Sequence, residues 1–379
     1  LGDRLMSDTA DVIVIGGGIV GACCAWQLAS QGLSVMVLDA GFPAATASGM
    51  GHLLILDDNP AELSITGYSL QRWRELSHQL PAGAAWKQNG TLWMAASDEE
   101  MAVAEKKAAI LQQQGIPCRL LSGQQMTEAE PLIRKGLTGG LEISSDGILY
   151  APVVADWMLN HPGIRRVTAE VTTIEEPQVI CRDGRRFSAP HILLANGVQA
   201  PDLLPEIPVV PKKGHLLITD RYPGIARRTL VELGYVTSAH NASGPSTACN
   251  IQPRPTGQLL IGSTRQFDTT DPQVESWMLS KMLRRACEYA PALRQLNAVR
   301  AWTGFRAASP DGLPLIGRHP RRPGLWLAVG HEGLGVTTAT ATADLLTAAL
   351  LNTPTPLSGD DFLPDRFLVH GEAYATAIH

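Results

Sequence analysis

Asp11-Val12-Ile13-Val14-Ile15 runs directly into Gly16-Gly17-Gly18-Ile19-Val20-Gly21, and Asp39 follows eighteen positions after the last of these glycines. The spacing predicts a short, mostly β-branched strand, a glycine-rich turn and a helix, the arrangement that binds dinucleotides. Gly16 would make the tight turn, Gly18 would let backbone approach a pyrophosphate, and Gly21 would let the helix pack against the strand. The helix N-terminus, with Ile19 and Val20, would face the phosphates. Asp39 closes a second strand expected over Leu33 to Leu38, where a carboxylate can accept both ribose hydroxyls. A lone glycine motif is weak, but here strand, helix and acidic residue all fall in place. Whether the dinucleotide is NAD or FAD is open at this point, beside the bland alternative of a turn without ligand.

The chain has 379 residues, a formal charge of −5, 45% apolar residues and 18% charged ones. That length suits two domains sharing a large core, and the mixed charges give no reason to expect nucleic acid or an anionic membrane surface. No apolar run reaches the roughly 18 residues of a spanning helix. The N-terminus lacks a signal-peptide pattern, so the expected location is the cytoplasm. Leu1 to Ser7 reads as an upstream remnant around the natural start Met6. The six cysteines show no CxxC spacing and no Cys/His cluster, which argues against a metal site. Cys23 and Cys24 fall on the first helix and read as buried structural thiols.

After Asp39 comes a loop of small residues, Ala40 to His52, suited to backbone pressed against a large flat ligand. Apolar spacing predicts a helix over Ala61 to Leu80 and a polar surface helix over Glu99 to Gln114. Strands are expected over Trp86 to Met94 (as a pair), Arg166 to Val171, Pro177 to Cys181 and Phe187 to Ala195. Further ones are expected over Gly214 to Asp220, Gly234 to Thr237, Cys249 to Arg254, Gln258 to Thr264 and Leu325 to Val329. Helices are expected over Val274 to Tyr289 and Val336 to Leu351. The segment around Pro205, Pro208 and Pro211 reads as a stiff linker. The fold class is therefore α/β: a discontinuous Rossmann-like FAD-binding domain (8–83, 146–206 and 298–367) with a mixed β-sheet substrate domain (84–145 and 207–297) and a tail (368–379). A nucleotide domain interrupted twice favours FAD over NAD.

Three further segments carry a resemblance: Thr46-Ala-Ser-Gly-Met-Gly51, the apolar strand His191 to Leu194 with Ala195-Asn-Gly197, and Trp302-Thr-Gly-Phe-Arg306 continuing to Gly317 and then Gly330-His-Glu-Gly-Leu-Gly335. Together with the first motif they span nearly the whole chain. In order and spacing the chain resembles the D-amino-acid-oxidase-like FAD family of glycine oxidase and sarcosine oxidase. Its WTGFR and GHEGLG forms look most like flavin subunits of heteromeric bacterial dehydrogenases, such as those for cis-4-hydroxy-D-proline, and of hydrogen cyanide synthase.

The resemblance implies specific roles. Arg306 matches the arginine that grips the substrate carboxylate, which a guanidinium fork fits in two hydrogen bonds at every working pH. His52, in the loop passing the flavin ring, would orient substrate or stabilise reduced flavin, or else merely bond backbone. Asp57 could meet a substrate hydroxyl or amine, Met50 could touch the flavin face, and Asn250 stands where relatives place a carboxylate-binding tyrosine. By strand alternation Asn250, Gln252 and Arg254 share one side. FAD would be held non-covalently by Gly16, Gly18, Ile19, Val20, Gly21, Asp39 and Ala40, by Thr46, Ser48, Gly49 and Met50 of the loop, and by Val171 at the adenine. Ala195 and Gly197 would join them, and the turn with Gly330, His331, Gly333, Leu334, Gly335, Val336 and Thr337 would offer N–H groups to the flavin ring.

Lys212 and Lys213 either form a solvated charge pair or hold the phosphate of an FMN at a subunit interface. Three functions remain open. One is a dehydrogenase subunit transferring hydride from Cα of a cyclic D-imino acid to flavin N5 and passing electrons to partner subunits. Another is a stand-alone amino acid oxidase making hydrogen peroxide. The last is a non-catalytic electron-transfer subunit.

Overall fold

The computed structural model describes residues 8–234 and 244–368. The expected tail from 369, the remnant at Leu1 to Ser7 and all but the first residue of the strand expected over Gly234 to Thr237 lie outside them. The opening motif folds as read: strand Val12–Ile15, a turn, and helix Ile19–Ser30. Gly16 takes φ +106°, and a Cβ there would lie 2.5 Å from the Ala195 carbonyl oxygen. A Cβ on Gly21 would lie 2.0 Å from the Gly16 carbonyl oxygen, so helix and turn meet only because both residues are glycine.

Val12–Ile15 is central in a six-stranded sheet ordered Leu315–Arg318, Leu325–Val329, His191–Leu194, Val12–Ile15, Val35–Asp39, Ile164–Thr168. All neighbours run parallel except the first pair, and the inner strands are apolar on both faces, as a sheet covered on both sides requires. Helix Ile19–Ser30 and the alanine- and threonine-rich helix Gly335–Leu351 lie against each other, and helix Pro60–Leu76 packs on the latter. Asn59 starts that third helix by accepting the Glu62 N–H, with Pro60 at the first helical position. Cys23 and Cys24 are buried between helix and sheet, and burial pushes both thiols up, which fits the structural reading.

The second sheet has nine strands: His331–Glu332, Ala298–Ala308, Val210–Thr219, Leu259–Arg265, Ser246–Pro253, Thr229–Glu232, Thr91–Ala95, Gly139–Ile143 and Cys118–Ser122. It corrects the expected division of the chain. Ala298–Ala308 belongs here, antiparallel to Val210–Thr219 along nearly its whole length, and the chain returns to the first sheet only at Leu315. Trp86 to Met94 gives one strand, Thr91–Ala95, with a single bridge from Lys87 to Ile148. The strand expected over Phe187 to Ala195 breaks at Pro190, which has no N–H for a ladder, into Arg186–Ser188 of a three-stranded meander and His191–Leu194 of the parallel sheet. Helix Asp98–Gln113 is less superficial than its polarity suggested, since Lys107 is buried. Among the described residues no helix is long and apolar enough to cross a membrane.

Candidate active site

A cavity of about 790 Å³ runs from the C-terminal ends of Val12–Ile15, His191–Leu194 and Leu325–Val329 to one face of the nine-stranded sheet. The first end lies where neighbouring strands leave the central strand in opposite directions, the usual ligand position in such sheets. Its wall holds Gly16, Gly18, Ile19, Val20, Asp39, Ala40, Val171, Ala195 and Gly197. Gly21 stands just behind, pressed on Gly16. Asp39 accepts hydrogen bonds from the Gly17 and Gly41 N–H groups, tying the turn to the second strand. Gly18 caps the helix without any side-chain acceptor, and the Thr46 hydroxyl accepts the Ile19 N–H at 2.9 Å. Asn196 adds a buried amide oxygen without a partner. Bare glycine backbone, an open helix N-terminus and this orphaned amide fit the pyrophosphate and ribose of a dinucleotide.

The loop from Thr46 crosses the middle of the cavity, which Ser48, Gly49 and Met50 line. It is fastened from several sides. The Trp302 indole donates to the Ser48 carbonyl at 3.0 Å, and the Arg254 guanidinium donates to the Met50 and Leu149 carbonyls at 3.3 Å each. Gly51 takes φ +67°, and a Cβ there would lie 2.0 Å from the Leu149 carbonyl oxygen. Arg254 and Gln252 thus buttress the loop, while Asn250 on the same strand reaches the cavity.

At the far end the walls come from both sheets. Gly330, His331, Gly333, Leu334, Gly335 and Val336 line the cavity at the start of helix Gly335–Leu351. The His331 ring itself turns inward to Thr342 Oγ1 at 3.0 Å, so this residue offers the cavity little beyond its backbone. Thr337 departs from expectation. It is fully buried, donates to the His52 carbonyl at 3.0 Å and so fastens the loop rather than facing the cavity.

Arg306 enters from Ala298–Ala308, half-buried, with Nη1 donating to the Thr264 carbonyl at 3.1 Å. Glycine makes its room: a Cβ on Gly214 would sit 2.7 Å from Nη1, and one on Gly333 would sit 3.6 Å from Cδ. His52 lines the same cavity and places Nε2 at 2.9 Å from Thr91 Oγ1. Burial pushes the His52 pKa down to about 3, so the ring is neutral. Trp93, Val231, Asn250 and Gly262 lie in register on four adjacent strands. The first three line the cavity, with Met50 against Gly262. Trp93 and Val231 were not legible in the sequence, since only sheet register brings them to this row.

Two expectations are corrected. Asp57 does not face the cavity but pairs with Lys107, both side chains being nearly fully buried. Lys212 and Lys213 are neither solvated nor side by side, because consecutive strand residues point to opposite faces. Lys212 lines the cavity, paired with Glu332, while Lys213 is wholly buried and paired with Glu275 at 2.9 Å. Each ammonium thus already has a carboxylate, and the two do not converge on a phosphate.

Comparison with known proteins places the chain in a family. The family model of the FAD-dependent oxidoreductases called DAO matches residues 11–349. Hydrogen cyanide synthase subunit HcnC of Pseudomonas aeruginosa is 25% identical over 98% of this chain and 100% of its own. A subunit of the opine oxidase of Rhizobium meliloti is 26% identical over 86% of this chain and 89% of its own. Glycine oxidase of Geobacillus kaustophilus is 26% identical over 87% and 90%, and its crystal structure superposes with a TM-score of 0.85 over 94% of this chain and 98% of that one.

Proposed function

Because the chain belongs to the DAO family of FAD-dependent oxidoreductases, we propose that it oxidises the Cα–N bond of a small amino or imino acid. The observation that carries this reading is Arg306, a guanidinium admitted by Gly214 and Gly333 into a cavity that a neutral histidine also lines. FAD, when bound, supplies the two-electron acceptor for the oxidation. Gly16, Gly18 and the helix start would hold its phosphates, Asp39 its ribose and Val171 its adenine, and the backbone from Gly333 to Val336 would offer N–H groups to the ring.

Arg306 binds the substrate carboxylate through two guanidinium N–H groups and so fixes the orientation of Cα. His52, kept neutral, offers a ring lone pair or N–H to the substrate. Met50 and Val231 exclude water, while the Asn250 amide oxygen and the Trp93 indole N–H are buried polar groups of that row without a partner among the described residues. We assign the substrate as a D-proline type, such as cis-4-hydroxy-D-proline, with Asn250 meeting a ring hydroxyl. The chain would act as the flavin subunit of a heteromeric dehydrogenase, a reading supported by two relatives that are themselves named as subunits.

A second reading, a stand-alone oxidase, has Lys212 in its favour. This is the lysine of the cavity wall among the described residues, a cation where oxygen reduction would profit from one. Anaerobic spectra of the FAD-loaded chain with glycine, sarcosine, D-proline and cis-4-hydroxy-D-proline test the proposal. Bleaching by the cyclic substrates without peroxide formation in air is expected. Rapid peroxide formation in air establishes the second reading instead, and no bleaching by any of the four overturns both.

A further inference from the structure

Glu332 takes φ +49°, a backbone conformation that residues other than glycine rarely adopt. It ends the two-residue strand His331–Glu332, in which Glu332 pairs with Ala307 and His331 with Ala308. Paired residues of a regular ladder share a face, which would put the Glu332 side chain with Ala307 and away from Arg306. Instead its carboxylate pairs with the Lys212 ammonium, and both residues line the cavity. Lys212 is the register partner of Arg306, so the two cations are neighbours on one face of the sheet. The Arg306 guanidinium then lies over Gly214, two residues along the strand from Lys212 and on the same face. The left-handed backbone at Glu332 accounts for a carboxylate reaching this face, and such outliers gather at functional sites. We propose that Glu332 is a specificity residue that masks Lys212, so that the site takes amino or imino acids with one carboxylate and rejects those with two.

Two adjacent cations suit a ligand with two carboxylates. With Glu332 in place the Lys212 ammonium already has a carboxylate, and the Phe267 ring covers it with its centre 4.9 Å away. The side chains of the pair are only 11% and 24% exposed, so water screens them poorly. A second substrate carboxylate must either displace Glu332 or lie beside it. Displacement leaves the Glu332 carboxylate without its cation in a poorly hydrated site, and coexistence sets like charges against each other. Selectivity of this kind comes from an element that repels the wrong ligand, beside the contacts that hold the right one. The inference rests on the reading that Arg306 holds the substrate carboxylate, and it adds the class of acid that this site admits.

Methoxyacetate and diglycolate differ by one carboxylate and carry no amine to oxidise, so calorimetric titration into the FAD-loaded protein reads binding alone. The wild type is expected to bind methoxyacetate at least as tightly as diglycolate near neutral pH. Glu332→Gln should raise the affinity for diglycolate relative to methoxyacetate about 10- to 100-fold. Glu332→Gly, which also relieves the positive φ, should do the same and serves if Glu332→Gln does not fold. Lys212→Met combined with Glu332→Gln should abolish the gain, since no unmasked ammonium remains. Asp58→Asn removes a carboxylate from the cavity wall but not from Lys212, and should leave the ratio within about threefold of wild type. Wild-type preference for diglycolate, an unchanged ratio in Glu332→Gln, an equal gain in Asp58→Asn, or a gain that survives the loss of Lys212 overturns the proposal. Binding of neither ligand overturns it together with the carboxylate assignment of Arg306. Failure of every amine to bleach FAD, with the affinity ratios as expected, would overturn the proposed oxidation and leave the masking of Lys212 standing.

Discussion

Lys107 and Asp57 lie fifty residues apart and form an ion pair whose side chains are only 5% and 4% exposed. The Lys107 ammonium also stands 5.2 Å from the centre of the Trp93 ring, so the pair lies directly behind a cavity wall. Removing one partner strands a buried charge, whereas removing both does not. Lys107→Met alone should therefore cost about 3–5 kcal/mol in urea unfolding, and Lys107→Met with Asp57→Leu should recover most of it. Additive losses in the two single variants would mean that the pair is not coupled.

Arg306→Ala should raise the apparent KM by orders of magnitude while FAD stays bound, because the ADP half of the dinucleotide is gripped far from this residue. Arg306→Lys should recover only part of the loss, since an ammonium lacks the two-pronged geometry. Steady-state kinetics together with the ratio of FAD to protein decide it. Unchanged kinetics in Arg306→Ala would remove the carboxylate assignment.

Gly21→Ala should yield protein without FAD. The added methyl would fall 2.0 Å from the Gly16 carbonyl oxygen, and backbone there cannot yield without opening the turn that receives the phosphates. Gly67→Ala is the control, because Gly67 is also helical and nothing lies within 4 Å of its Cβ position. Full flavin absorbance in purified Gly21→Ala would contradict the packing argument.

Glu62 lines the cavity, and burial, with Asp58 and Glu332 nearby, pushes its pKa up to about 7. The folded chain therefore holds a proton that the unfolded chain releases near pH 4.5. Stability falls as pH rises through the window between these values, and the deficit is complete above about 7. Glu62→Gln should be more stable than wild type by about 2–3 kcal/mol at pH 8 and nearly equal to it at pH 4. Thermal melts at the two pH values measure the difference, and a gap of the same size at both would exclude titration of Glu62 as its cause.

The local devices were readable in the chain. Gly16 to Gly21 with Asp39 specify a turn whose chemistry is sequential, and the sequence therefore exposes it. Arg306 was found through its motif, but the reason it fits, the absence of side chains at Gly214 and Gly333, depends on strands that meet only in the fold. Asp57 shows the opposite failure: its place in the loop suggested the cavity, and Lys107, on a helix that reads as superficial, draws it inward. Thr337 misled similarly, since a helix-start hydroxyl can turn to a ligand or to a neighbouring loop, and the His52 carbonyl decided which. Lys212 and Lys213 are adjacent in sequence and opposed in space, which alternation alone could have indicated had Val210–Thr219 been recognised to its full length.

The cavity wall begins at Ile15 and is completed by Val336, and this span has a meaning in time as well as in space. During synthesis the first strand and its glycine turn emerge early, yet the opposite wall is made more than three hundred residues later. At common elongation rates of about 5–20 residues per second, that interval is roughly 16 to 64 s. Throughout it the apolar strand Val12–Ile15 has no partner at His191–Leu194 for its first half and no roof until its end. Completion of the cofactor cavity is thus one of the last events in the synthesis of the chain, and until His191–Leu194 emerges the early strand has Val35–Asp39 as its sheet neighbour.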